Sequence, residues 1–239
     1  MRKYAAPIIG ALAVGAVCVA PSVAQSPSQT VLTIDSKVSS NKAGTKKKPK
    51  GVNLTFKTTW TTPEQFEPPI IQRGTAFFPK GSLYNGKKYP KCSLSRLNRK
   101  GPTGCPKGSI MGKGTGSAFA DTVITRPKIT VVNGGAKNVW LYTVLNNPAR
   151  VQTGVPGKVT KLSGNPKYGY RMEFTVPQVL QVVAGVPIQL RDLTFKVGKK
   201  DWLATVSCPK DKKWRYGLET KFDNGGTSGL VEDFTTCRS

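Results

Sequence analysis

From Val52 to Trp60 the apolar residues Val52, Leu54, Phe56 and Trp60 alternate with Asn53, Thr55, Lys57 and Thr59. A period of two places one face of a strand in a core and the other in water. The same reading fits Val31 to Ile34, Ile129 to Asn133, Val139 to Leu145, Tyr170 to Val176, Val179 to Val183, Leu193 to Val197, Trp202 to Ser207 and Trp214 to Phe222. Glycine, asparagine and proline separate these runs at short intervals, as in Asn133-Gly134-Gly135, Asn146-Asn147-Pro148 and Asp223-Asn224-Gly225-Gly226. Closely spaced short strands of this kind predict an all-β fold, an antiparallel β-sandwich of about nine to twelve strands, and not alternating βαβ units. One short helix is expected at Ser93 to Lys100: Ser93 can cap it, Leu94 and Leu97 share a face, and Gly101-Pro102 stops it.

The first 24 residues follow a different pattern. Arg2 and Lys3 precede an apolar run from Ala5 to Ala20, and Ser22-Val23-Ala24 supplies the small residues of a cleavage site. Residues 1–24 are therefore expected to be a signal peptide, with a mature chain beginning at Gln25. The run is shorter than the roughly 20 residues that cross a bilayer, and no later apolar stretch reaches that length, so no transmembrane anchor is expected in the mature chain. Cys18 lies inside the apolar run behind Val17, which argues against a lipidation site. Residues 25–239 read as a single all-β domain with a flexible start as far as about Gln29, since no linker or repeat divides them.

Export changes the meaning of the cysteines. Cys92, Cys105, Cys208 and Cys237 form an even set, which in an exported chain reads as two disulfides. Of the three possible pairings, Cys92 with Cys105 and Cys208 with Cys237 are favoured because each closes a compact local loop. The competing zinc reading lacks the C-x2-C spacing that fixes tetrahedral geometry, so no metal or other cofactor is expected.

Charge and composition narrow the chemistry. The chain has 37 Lys+Arg against 12 Asp+Glu, a formal charge of +25, and no histidine. Without imidazole, Ser-His-Asp and Cys-His nucleophilic catalysis and every His-liganded metal site are excluded. Gly108 to Gly114 lacks the spacing and the Ser or Thr of a phosphate loop, so Gly112, Gly114 and Gly116 are read as a strand lying beneath neighbouring side chains. Ser39-Ser40-Asn41-Lys42 fits S-x-x-K, but it runs into a polybasic loop and no K-T-G follows. Carboxylates could run glycoside hydrolysis without histidine. Yet Glu64, Glu67, Asp192, Asp201, Asp223, Glu232 and Asp233 are scattered, mostly beside cations or in turns; Asp192 is the most notable, as an Arg191-Asp192 ion pair at the start of a strand.

Lysine excess is the largest functional signal. The candidate polyanion-binding residues are Lys46, Lys47, Lys48 and Lys50; Lys87, Lys88 and Lys91; and Lys210, Lys212, Lys213 and Arg215, with further clustering at Arg96, Arg99, Lys100 and Lys107. Such a surface concentrates polyanions in a salt-dependent way, and lysine favours diffuse attraction over bidentate recognition. Anionic cell-wall polymers or acidic lipid headgroups are the expected partners. Nucleic acid is not, because aromatic residues do not interleave the basic clusters as a stacking platform requires. Trp60, Trp140, Trp202 and Trp214 are expected in the core.

The run Phe78-Pro79-Lys80-Gly81, Asn85-Gly86-Lys87, Tyr89-Pro90-Lys91-Cys92-Ser93, Leu97, Gly101-Pro102, Cys105-Pro106-Lys107-Gly108-Ser109 and Gly112-Lys113-Gly114 resembles the signature of uncharacterised exported proteins of actinobacteria. Ala43 to Pro49, Leu190 to Phe195, Trp202-Leu203, Ser207-Cys208-Pro209 and Thr236-Cys237 are similar to the same group. The resemblance implies export, one domain and paired cysteines, and transfers no catalytic residue. Met111 makes the Ser109 to Gly112 stretch one residue longer than that pattern, leaving the local strand register open. Together these readings give a secreted, non-catalytic cell-envelope binding or structural protein, with a carboxylate-dependent carbohydrate-active enzyme as the alternative.

Overall fold

The computed structural model describes residues 29–239, so the expected signal peptide, Cys18 and the start of the mature chain lie outside the described residues. Along the chain come β1 (Val31–Ser39), β2 (Lys50–Gly51), β3 (Asn53–Thr61), β4 (Ile71–Pro79), β5 (Ser82–Tyr84), α1 (Leu94–Lys100), β6 (Ile110–Ala120), β7 (Val123–Thr125) and β8 (Lys128–Asn133). They are followed by β9 (Asn138–Leu145), β10 (Val151–Lys161), β11 (Tyr168–Thr175), the helical turn α2 (Gln178–Gln181), β12 (Val182–Val183), β13 (Val186–Val197), β14 (Leu203–Thr205), β15 (Lys213–Phe222) and β16 (Val231–Thr236). The protein is all-β and antiparallel, as the alternation predicts.

The layers differ from a two-sheet sandwich. One sheet runs in the order β1-β3-β13-β6-β8-β9-β10-β11-β4-β15-β16, with β7 and β12 as short additions, and curls until its two edges meet. Eleven strands in antiparallel succession leave the edge strands β1 and β16 running parallel, a relation continued in the parallel bridge of Lys42 with Arg238. Instead of a backbone ladder, side chains fasten this seam. The Asp233 carboxylate accepts from the Ser36 amide at 2.6 Å and its hydroxyl at 2.7 Å, and the Thr235 hydroxyl donates to the Ser36 carbonyl at 2.9 Å. The result is a nearly closed barrel whose opposing walls belong to one sheet.

Alternation aims one face of each strand inward. Leu54, Phe56 and Trp60 of β3, Leu193 and Phe195 of β13, Met172 and Phe174 of β11, and Trp214, Tyr216 and Leu218 of β15 all enter the core. Small residues offset these bulky ones: a Cβ on Gly114 of β6 would lie 2.7 Å from the Phe195 ring, and one on Gly116 would lie 2.6 Å from Leu193 Cδ2. The extra residue at Met111 is absorbed as an irregularity between Ile110 and Gly112 opposite β8, with the Met111 side chain buried.

The helix forms where its caps predict. Ser93 Oγ accepts from the Arg96 amide, Gly101 at φ +64° ends the helix with its amide on the Leu97 carbonyl, and Leu97 is fully buried. Here a left-handed backbone is needed, and glycine adopts it without steric cost. The helix covers the outer face of the barrel over Tyr142, Val132 and Trp140, with Cys92–Cys105 (Cα–Cα 5.4 Å) tying its flanks. Cys208–Cys237 (Cα–Cα 5.9 Å) pins the end of β16 to the segment after β14.

Three expectations change. Val179 to Val183 is not one strand: Leu180 and Val183 point inward at helical spacing while Val179 is exposed, so the run forms α2 and only two residues of β12. Trp202 to Ser207 shrinks to β14, which joins β2 and β5 in a separate three-stranded sheet. Strands β4 and β10 escape the period-two reading because Gly74, Phe77-Phe78, Gly154, Pro156 and Gly157 break or blur the alternation, and β16 because Val231-Glu232-Asp233-Phe234-Thr235-Thr236 places no apolar residue at alternate positions.

Candidate functional site

Antiparallel connection sorts the loops to two ends. Register places Ser39, Asn53, Pro79, Ile110, Asn133, Asn138, Lys161, Tyr168, Val197, Lys213 and Thr236 at one end of the barrel. Segments 40–52, 80–109, 134–137, 162–167, 198–212 and 237–239 therefore all emerge there. Together they hold twenty lysines and arginines and two acids, Asp201 and Asp211. The opposite segments, 62–70, 121–127, 146–150, 176–185 and 223–230, hold Arg126 and Arg150 against Glu64, Glu67, Asp121 and Asp223. The positive charge of the loops is thus concentrated on one end.

A small sheet forms the floor of this basic end. Strand β14 lies between β2 and β5, and its Trp202 and Leu203 reach the barrel core. Asn133, fully buried at the end of β8, fixes the floor in place. Its amide NH2 faces the carbonyls of Gly86, Tyr89 and Pro90 at 2.9–3.1 Å, and its Oδ1 accepts from Trp202 Nε1 at 3.2 Å and the Gly135 amide at 3.3 Å. One side chain thereby joins the long β5–β6 connection, the small sheet and the barrel rim. In sequence Asn133 looks like turn punctuation; only burial reveals its role.

All eleven candidate polyanion-binding residues lie at this end. Lys46, Lys47, Lys48, Lys87, Lys91, Lys210 and Lys212 are exposed and in no ion pair among the described residues. Lys50 is half-buried in β2, where the backbone of Lys200 packs against the neighbouring Gly51, bringing the first cluster beside Lys199 and Lys200. The cluster at Lys210 and Lys212 meets Lys42 and Arg238 through the Cys237 amide on the Lys212 carbonyl and the Arg238 amide on the Asn41 carbonyl. Three candidates are engaged internally. Lys88 Nζ lies 2.5 Å from Asp201, Arg215 lies 2.6 Å from Asp211, and Lys213 sits 4.3 Å over the Phe234 ring. Lys137, Lys199 and Lys200 join the end although their sequence positions fall outside the selected clusters; knowing which loops share an end would have found them.

Local contacts shift the groups around Asp201. Hydrogen bonds from Lys88 and Tyr89 hold its carboxyl below the ordinary range, and the same carboxylate raises the Lys88 ammonium. On the wall, the Tyr168 hydroxyl and Lys167 lower Glu232. Three other candidate acids are also engaged: Asp192 accepts from Ser117, Glu67 from Gln189 at 3.1 Å, and Asp223 from the Ile70 amide at 2.9 Å. Arg191 does not pair with Asp192 but lies 4.6 Å over the Phe119 ring.

The cysteines pair as favoured, which removes the zinc reading by consuming all four thiols, and no group of three metal-binding side chains occurs among the described residues. Trp60, Trp202 and Trp214 are buried and Trp140 is half-buried. Each indole N–H has an acceptor, respectively Thr220 Oγ1, Asn133 Oδ1 and the carbonyls of Ser207 and Cys92. Ser39 lies in β1, not at the start of a helix, so the S-x-x-K reading lacks its context. No helix among the described residues is long and apolar enough to cross a membrane.

Inside the barrel two apolar cavities lie next to each other. The larger, about 160 Å³, extends from the small sheet to mid-barrel; the smaller, about 100 Å³, continues toward α2. Leu141, Phe174, Leu193 and Phe195 line both. Comparison with protein-family models, curated proteins and solved structures finds no match for this chain.

Proposed function

We propose that this is an exported, non-catalytic component of a Gram-positive type of cell envelope that holds anionic polymer against its basic end. The sorting of twenty cations and two acids to one end, against two cations and four acids at the other, carries the reading. A one-sided field orients the molecule on an extended anion and speeds its capture, whereas scattered charge would serve solubility alone. The disulfides fit an oxidising compartment outside the cytoplasm. Exposed lysines that form no ion pair among the described residues leave their ammonium groups available to phosphate or carboxylate repeats.

Retention on heparin and on poly(glycerol phosphate) tests this, with phosphatidylglycerol vesicles as the lipid arm. The protein should elute at a salt concentration that falls clearly when Lys46, Lys47, Lys48, Lys87 and Lys91 are replaced by glutamine. Five glutamines away from that end, at Lys57, Arg73, Lys128, Arg150 and Lys221, should lower it much less. Equal effects from the two sets, or retention insensitive to salt, would refute an oriented polyanion site.

A further inference from the structure

Barrel width grows with strand number, and about eight strands already enclose a space that side chains just fill. This barrel has eleven. The chain closes both ends with extra structure: Trp202 and Leu203 of the small sheet at the basic end, and Leu180 and Val183 at the other. Between them large side chains leave the two adjoining cavities. Neither lining contains Lys, Arg, Asp or Glu.

Two hydroxyls among the residues lining the larger cavity, those of Tyr216 and Tyr170, have no hydrogen-bond partner among the described residues, and Tyr216 is the more deeply buried. Tyr216 is 5% exposed, its ring packs near Phe56, and its hydroxyl has no hydrogen-bond partner among the described residues. The neighbouring Ser82, Tyr84 and Thr58 hydroxyls already donate, to the carbonyls of Pro79, Gly135 and Leu193. Burial raises the Tyr216 hydroxyl far above its ordinary pKa, so it remains a neutral donor. Buried hydroxyls are normally hydrogen-bonded, and leaving one unmade is costly. An acceptor delivered into the cavity would satisfy it.

The surface at the far end matches an apolar visitor. Val31, Phe66, Val123, Ile124, Val179 and Leu230 are exposed, and register places all six at the end opposite the lysines. That grouping offers an apolar approach to the α2 side, where the smaller cavity lies.

We propose that the barrel interior binds a neutral medium-chain aliphatic molecule, an alcohol, ketone or ester, with its one polar oxygen on the Tyr216 hydroxyl and its chain extending past Phe174 and Phe195. A carboxylate is disfavoured because the lining supplies no cation and a buried unpaired charge is expensive. The chemistry of this site is opposite in kind to that of the basic end, whose small sheet forms one wall of the larger cavity.

The test is displacement of the dye N-phenyl-1-naphthylamine from the folded, oxidised chain. Decanol and methyl decanoate should displace it, while decanoate at pH 7.5 should be at least about tenfold weaker and should gain as acid protonates it. Tyr216→Phe keeps the shape and removes the donor; it should weaken decanol about tenfold and leave butylbenzene unchanged. No dye uptake by the native protein, decanoate equal to decanol, or an equal loss for decanol and butylbenzene in the variant would each overturn the assignment.

Discussion

The two ends of the barrel are made from different materials. The basic end is built from long connections held by Asn133, by a three-stranded sheet and by two disulfides. The other end consists of shorter segments with few charges, one helical turn and a rim of exposed apolar side chains. Repulsion among clustered lysines works against a compact end, so the covalent and hydrogen-bonded framework lies where the charge is greatest. The difference teaches that a positive surface of this density rests on an unusually braced base, whereas an apolar rim needs only the barrel beneath it.

Asn133 gives this comparison its hardest test. Asn133→Ala strips acceptors and donors from six backbone and side-chain partners, the Tyr84 hydroxyl among them, inside a buried floor, so its cost should reach about 4 kcal/mol. Val179→Ser at the opposite end changes an exposed side chain and should stay within about 0.5 kcal/mol. Urea midpoints with the fitted slopes measure both. A similar shift for the two variants would break the claimed asymmetry.

Disulfides come next. By loop length, Cys208→Ser with Cys237→Ser should lose roughly 3.5 kcal/mol and Cys92→Ser with Cys105→Ser roughly 3 kcal/mol, because separations of 29 and 13 residues release different amounts of chain entropy. If the shorter loop matters more, bracing of the α1 segment by Cys92–Cys105 outweighs entropy, and the order reverses. Between the ends, the seam should respond less: Asp233→Ala removes a carboxylate that receives two bonds from Ser36, a loss of about 2 kcal/mol. Faster amide exchange confined to β1 and β16 in that variant would locate the damage at the seam, while uniform exchange would show that the barrel opens as a unit.

Much of the barrel is legible in the chain because period two survives wherever one strand face is wet. Val52 to Trp60 and Trp214 to Phe222 announce β3 and β15 within a residue or so. Closure is not legible, since it depends on Asp233 and Thr235 meeting Ser36 about 200 positions away. Val179 to Val183 misleads because a five-residue run with four apolar side chains fits a strand and a helical turn equally well. The lysine clusters are visible in sequence, but their gathering at one end follows from strand direction. The cavity is invisible: no residue type marks space left between side chains.

Acid should loosen the braced end through Asp201. Lys88 and Tyr89 stabilise its ionised form, so its folded pKa lies below the unfolded value of about 3.9. The stabilisation is therefore fully present above that unfolded value and disappears as pH falls through the lower folded one. Asp201→Asn should consequently shift the urea midpoint at pH 7 and leave it nearly unchanged well below the folded pKa, where wild-type Asp201 has also lost its charge. Because Lys88 is exposed, the shift should be the smallest of this series and should shrink in high salt. A difference that persists at low pH would assign the role of Asp201 to the geometry of its side-chain hydrogen bond with the Tyr89 hydroxyl, and not to its charge.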